Sequence, residues 1–264
     1  MKNFYFSRYF TFSLLFIVNL AYSQMLQFDG IFLFSEGIAG VKVDGKWGYI
    51  DRTGKYVAHP QFDKAGHFSE GVAHVKVDGK WGYIDRTGKY IIAPRFDDVF
   101  LFNEKIVSVK VDGKWGCINK KGKYIIAPQF DDIFLFSEGI AGVNVDGKWG
   151  YIDRAGKYIT HPKFDKVNSF KEGRANVKLD GKWGYIDRTG KYITHPEFDE
   201  AGHFSEGVAN VKVDGKWGYI YKNGKYIIRP QFDEASYFLE GVAGIKVDGK
   251  WRYIYKNGNF LVRR

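Results

Sequence analysis

The chain has 264 residues, 40 Lys+Arg against 30 Asp+Glu, and a formal net charge of +10. Hydrophobic residues at 45% and aromatics at 18% exclude a disordered chain, and one cysteine excludes a disulfide framework or a Cys-based zinc site. Tryptophan falls only at Trp47, Trp81, Trp115, Trp149, Trp183, Trp217 and Trp251, and proline only at Pro60, Pro94, Pro128, Pro162, Pro196 and Pro230, both with a period of 34. An irregular enzyme domain would not space its residues this way, and the period predicts a repeat protein.

Residues 1–23 stand outside the period. Lys2 and Arg8 precede a 12-residue apolar run, Phe10 to Ala21, and Ala21-Tyr22-Ser23 places small residues before Gln24. That is the layout of a cleavable signal peptide. A membrane-spanning helix needs about 20 apolar residues, and Asn19 and Ser23 interrupt this run. The mature chain is expected to begin at Gln24, with no transmembrane span, and to reach the periplasm, the cell surface or the extracellular space.

From Phe28 onward the chain reads as seven copies, 28–61, 62–95, 96–129, 130–163, 164–197, 198–231 and 232–264. The second copy is representative. Val72 to Val77 alternates apolar and polar, as a half-buried strand does. Asp78-Gly79 is a strong hairpin signal. Lys80 to Asp85 forms the next strand, with Trp81 and Tyr83 on one face. Arg86-Thr87-Gly88 turns the chain into a third strand, Lys89 to Ala93, which Pro94 is expected to stop. A short fourth strand is expected around Lys64–Phe68, followed by a Ser-Glu-Gly turn. No segment has helical periodicity.

The pairs Trp47-Gly48, Trp81-Gly82, Trp115-Gly116, Trp149-Gly150, Trp183-Gly184 and Trp217-Gly218, with Trp251, form the structural signature. Glycine after each Trp lets a neighbouring strand or ring lie close over the backbone. Stacked tryptophans are expected to supply much of a core that no single repeat could bury alone.

Lys-Trp-Gly-Tyr-Ile at 46–50, 80–84, 148–152, 182–186 and 216–220, within recurring Phe-Ser-Glu-Gly and Asp-Gly-Lys-Trp-Gly-Tyr-Ile-Asp frames, resembles the WG (KWG) repeat of bacterial proteins. The resemblance implies a β-rich repeat, often exported, with no shared activity and no defined catalytic residues. Departures are Asn103-Glu104-Lys105 for Ser-Glu-Gly, Cys117 for Tyr, and Trp251-Arg252 for Trp-Gly. The fold class is therefore all-β, seven 34-residue β-meander repeats. A propeller-like closed ring is favoured, its first fragment completing the last unit, and an open β-solenoid of hairpins is the alternative.

Motifs for chemistry are missing. There is no nucleophile elbow, P-loop, dinucleotide fingerprint or HExxH, and the recurring aspartates sit in Asp-Gly turns. His161 and His195 share a position in adjacent repeats, but no second ligand stands at metal spacing within a unit. Neither an enzyme, a metal nor a cofactor is expected. Cys117 replaces a Tyr and reads as buried.

Lysines recur in rows, most of them explained by solvated strand faces. The remainder would suit an acidic glycan or an acidic protein, and nucleic acid is not expected. Sequence varies most after Phe-Asp, so Phe32, His67, Phe100, Phe134, Asn168, His203 and Tyr237 form the candidate binding face. The expected function is an exported, monomeric, non-enzymatic scaffold for protein–protein interaction at the cell envelope or outside the cell. The alternative is a carbohydrate- or cell-wall-binding module using aromatic and lysine side chains.

Overall fold

The computed structural model describes residues 27–100 and 105–262. Residues 1–23, read from sequence as a signal peptide, lie outside them, as do Asn103 and Glu104. Each repeat forms an antiparallel meander. In the first, β1 (Gly30–Ile31), β2 (Ile38–Val43), β3 (Lys46–Asp51) and β4 (Tyr56–Phe62) lie side by side in chain order. The same arrangement recurs in sheets opening at Lys64, Asp98, Asp132, Lys166 and Glu200, and a three-stranded version opens at Glu234. The described residues contain no helix. Two compact units divide the chain, Met1–Pro94 and Arg95–Arg264.

Two turns in every copy but the third, where one of the two turns is only partly described, have both central residues in the left-handed region. Asp44 and Gly45 (φ 48° and 79°) join β2 to β3, and Glu36 and Gly37 (φ 51° and 81°) precede β2. Both have the backbone signs of a type I′ turn, whose twist matches the strands it connects. Between β3 and β4 the Asp51 carboxylate accepts from the Thr53 amide at 2.8 Å, the Thr53 hydroxyl at 2.6 Å and the Lys55 amide at 3.1 Å. That local bonding closes the turn without help from other strands.

Two features of the last strand differ from the sequence reading. Proline does not end it: the second copy's last strand runs Tyr90–Phe96 through Pro94, and the first copy's runs through Pro60 to Phe62. The pairing explains this. Trp47 faces Phe62 while Tyr49 faces Ala58, so His59, Pro60 and Gln61 bulge opposite Gly48. Proline sits in the bulge, where the ladder asks for no N–H. The phenylalanine thus closes one sheet rather than opening the next, and the strand expected around Lys64–Phe68 is only Lys64–Ala65, first in its sheet.

The bulge also fixes the glycine. A Cβ on Gly48 would meet the Ala58 carbonyl oxygen and the Pro60 nitrogen at 2.7 Å, and one on Gly150 would meet the Thr160 carbonyl oxygen at 2.5 Å. The seventh copy has Arg252 there. Among the described residues its fourth strand is reduced to one bridge between Ile254 and Phe260 and a bond from the Leu261 amide to the Tyr253 carbonyl. A side chain at this position is incompatible with the close crossing that the other sheets make.

Sheets stack face to face within each unit. In the first, Ile38, Tyr49 and Ala58 of one sheet pack on Ala73, Val75 and Ile84 of the next, with Phe62 and Phe68 between them. In the second, Ile140 and Tyr151 pack on Ala175, Val177 and Ile186 around Phe164 and Phe170, and Tyr219 packs on Ala243, Ile245 and Ile254 around Phe232 and Phe238. The fully buried aromatics are tyrosines and phenylalanines. Tryptophan contributes less than expected: Trp47, Trp81, Trp149, Trp183 and Trp217 are half-buried, Trp115 is buried, and Trp251 is exposed.

Candidate interaction surface

Several polar side chains of the repeat are occupied by the neighbouring repeat. The Tyr151 hydroxyl donates to the Asn168 carbonyl at 2.6 Å, as Tyr49, Tyr185 and Tyr219 do to Gly66, Gly202 and Ser236. Burial drives these tyrosine pKa values well above the ordinary range. Ser-Glu-Gly acts as a clasp. Ser137 Oγ donates to the Phe170 carbonyl at 2.8 Å, Glu138 Oε2 accepts the Gly173 amide at 2.9 Å, and Arg188 donates to the Glu138 main-chain carbonyl at 2.6 Å.

The lysine rows are similarly engaged. Lys148 pairs with Asp165 at 2.6 Å, and Lys46, Lys114, Lys182 and Lys216 pair with Asp63, Asp131, Asp199 and Asp233. The lysine bond holds each of these carboxyls below its usual range. The other row lies along the tryptophans, from Lys76 at 5.4 Å to Lys42 at 6.0 Å from the ring centre. Carboxylates thus engage one of the two lysine rows and tryptophan rings the other.

The residues proposed from sequence as one binding face divide into two registers. Phe32, Phe100, Phe134 and Asn168 are half-buried. Phe32 stacks on Trp47 at 4.2 Å, Phe100 on Trp115 at 4.7 Å, and Phe134 lies 4.4 Å from Trp149. Their variation follows packing. Phe32 fills the space over Gly40, where a Cβ would lie 2.4 Å from its ring, and Phe134 does the same over Gly142. Where the second and sixth copies have Gly66 and Gly202, the space belongs to the side chains of His74 and Asn210. This compensation, eight residues apart, is readable in the sequence and escaped the reading of it.

One position later the side chains face solvent. Leu33 (82% exposed), His67, Leu135, Ser169, His203 and Tyr237 (60%) form this register. Partial burial and the nearby Lys171 charge lower the pKa of His203. The chemistry varies from copy to copy, and of these side chains His67 lies 4.7 Å from the Phe32 ring.

His161 and His195 are exposed and lie against Tyr158 and Tyr192 at 4.5 and 4.7 Å. Among the described residues no group of three or more His, Cys, Asp or Glu is placed to hold a metal ion, and no helix is long and apolar enough to cross a membrane. Cys117 is fully buried, 3.8 Å from Ser108 Oγ, and burial pushes its thiol up to about 11.

Fold and surface together define a β-meander repeat protein whose neighbouring copies clasp one another within each unit and leave varied side chains outward. The chain belongs to the family of WG containing repeats: the family model matches residues 26–47, 47–81, 81–115, 115–149, 149–183, 183–217 and 217–251. No curated protein matches it in sequence. Among solved structures it is similar to a eukaryotic initiation factor (11% identity, 87% of this chain and 73% of that one, TM-score 0.48). It is also similar to Kluyveromyces lactis Hsv2 (9% identity, 84% and 87%, TM-score 0.40). A third is the extracellular domain of the hybrid two component system BT4673 from B. thetaiotaomicron (14% identity, 88% and 40%, TM-score 0.35).

Proposed function

We propose that the chain is an exported, non-enzymatic scaffold that binds a protein partner at the cell envelope or outside the cell. The observation that supports this is the division of labour between adjacent registers. Phe32, Phe100 and Phe134 are committed to tryptophan, while Leu33, His67, Leu135, His203 and Tyr237 are outward, of three chemical kinds, and spaced 34 residues or a multiple of that apart. Exposed apolar, imidazole and phenol groups carried on the sheets of each unit suit recognition of a mixed protein surface. The lysines supply less than their number suggests, because aspartate and glutamate engage them.

The carbohydrate reading asks for open aromatic faces. Six of the seven tryptophans are half-buried or buried, and lysine amines lie over the rings of Trp47, Trp81, Trp115, Trp183 and Trp217. These features favour the protein partner.

The test is a pull-down from envelope extract with the purified chain and with a His67→Ala/His203→Ala/Tyr237→Ala variant. The expected result is a partner retained at high salt by the parent chain and lost by the variant. Equal capture by both, or loss of every partner at high salt, overturns the proposal.

A further inference from the structure

We infer that this chain associates head to tail with a second copy of itself, the last repeat of one chain docking on the first repeat of the next. This goes beyond the binding role proposed above and does not depend on it.

The basis is the interface between consecutive repeats. Within each unit, a junction has a donor half and a receiving half. The donor half offers a buried tyrosine and the receiving half a phenylalanine set against it: Tyr49 with Phe68, Tyr151 with Phe170, Tyr185 with Phe204 and Tyr219 with Phe238, at 4.9–5.1 Å between ring centres. These tyrosines and phenylalanines are at most 2% exposed.

The last repeat carries a donor half with nothing on it. Tyr253 occupies the same place and is 57% exposed, with Trp251 beside it at 58%. Among the described residues the first repeat carries an uncovered receiving half. Phe34, the counterpart of Phe68 and Phe170, is 47% exposed, and Ile31, the counterpart of the buried Ile133 and Val167, is 68% exposed. Both halves are open in the same chain.

Charge supports the same occupant. Within the chain Lys148 pairs with Asp165, seventeen residues on, and Arg188 reaches back fifty residues to Glu138. Carried through the 34-residue period, the lysine rule places Lys250 of one copy against Asp29 of the next. The arginine rule places Arg52 of that next copy against Glu240. All four side chains are without a hydrogen bond or ion pair to one another's kind among the described residues, and Arg52 lies over its own Phe34 ring at 5.5 Å. One bond of the standard junction cannot form, because Leu239 stands where Ser137 and Ser205 donate. A contact of this kind is heterologous: each chain uses a different surface at each side, so it propagates unless the geometry closes a ring.

Sedimentation of the purified chain from micromolar to near-millimolar concentration tests this, together with Phe34→Asp and Tyr253→Asp variants. Both positions are exposed, and matched circular dichroism and unfolding midpoints identify folded variants. The parent chain is expected to form species larger than a dimer as concentration rises. Each variant alone should stay monomeric, its association weakened at least about tenfold. An equimolar mixture of the two should form dimers and stop there, because only one intact junction can form. Hydrogen exchange on the parent chain gives an independent reading, with protection rising with concentration at residues 29–37 and 250–255 together. A parent chain that is monomeric throughout, a variant that associates like the parent, or a mixture that yields no dimer overturns the inference.

Discussion

Tyr151 shows how much of the stability rests on one side chain. Its ring is buried between sheets and its hydroxyl donates to the Asn168 carbonyl. Tyr151→Phe keeps the ring and removes the bond, leaving a buried carbonyl short of a partner, so it should cost about 1–3 kcal/mol in urea unfolding. Tyr151→Ala adds a cavity and should cost roughly 3–5 kcal/mol. Cys117 occupies the same strand position in the third copy, where it is shut off from solvent. With its thiol raised to about 11, almost none is thiolate at neutral pH. Alkylating reagents should label it only in denaturant; labelling of the native chain at neutral pH would show that the third sheet opens. That tyrosine rather than tryptophan is the buried partner could not be read from sequence. Tyr49 and Trp47 share one strand face, and which of them is covered depends on how the next sheet lies across it.

At the scale of the strand and turn, much was readable. Asp-Gly predicted a hairpin, and Asp44-Gly45 forms it with both φ angles positive. The glycine after tryptophan predicted a close approach, and the approaching group is the bulged backbone around Pro60. The path of the last strand through proline was not readable, because it depends on an offset in pairing between Trp47–Phe62 and Tyr49–Ala58. The same geometry gives two opposite predictions. Gly150→Ala drives a methyl group into the Thr160 carbonyl, a backbone atom that cannot swing aside, and should destabilise by roughly 1–3 kcal/mol. Arg252→Gly removes the obstacle in the seventh copy, so the bond that the Leu261 amide makes to the Tyr253 carbonyl should be held more tightly and that amide should gain protection from hydrogen exchange. The third copy offers a further case. Lys105 holds φ 68°, where the other copies place glycine, and Lys105→Gly should stabilise by about 1 kcal/mol.

For the whole molecule, a period of 34 residues makes equivalent substitutions informative by comparison. Stability in a repeat protein is close to a sum of terms within repeats and between neighbours. The cost of a substitution therefore depends on whether its neighbour is present. Tyr219 and Tyr253 are the same residue of the repeat, one covered by the last sheet and the other bare. Tyr219→Ala should cost roughly 3–5 kcal/mol, whereas Tyr253→Ala, measured on dilute monomer, should change stability by no more than about 0.5 kcal/mol. Acid should separate the exposed ion-pair rows from this apolar term. Asp63, Asp131, Asp165, Asp199 and Asp233 have carboxyls held below their ordinary range by lysine. A lowered native pKa adds stability that is complete above the unfolded carboxylate value and is lost as pH falls through the native one. The unfolding midpoint should thus change little between about pH 7 and pH 5 and fall below about pH 4. Because the pairs are solvent-accessible, each is individually weak, and raising the salt at neutral pH should remove part of the same contribution. The Tyr219→Ala cost, carried by apolar burial, should persist in high salt. If salt abolished that cost, the junction between repeats would be electrostatic, and the tyrosine-phenylalanine packing would not be what holds neighbouring sheets together.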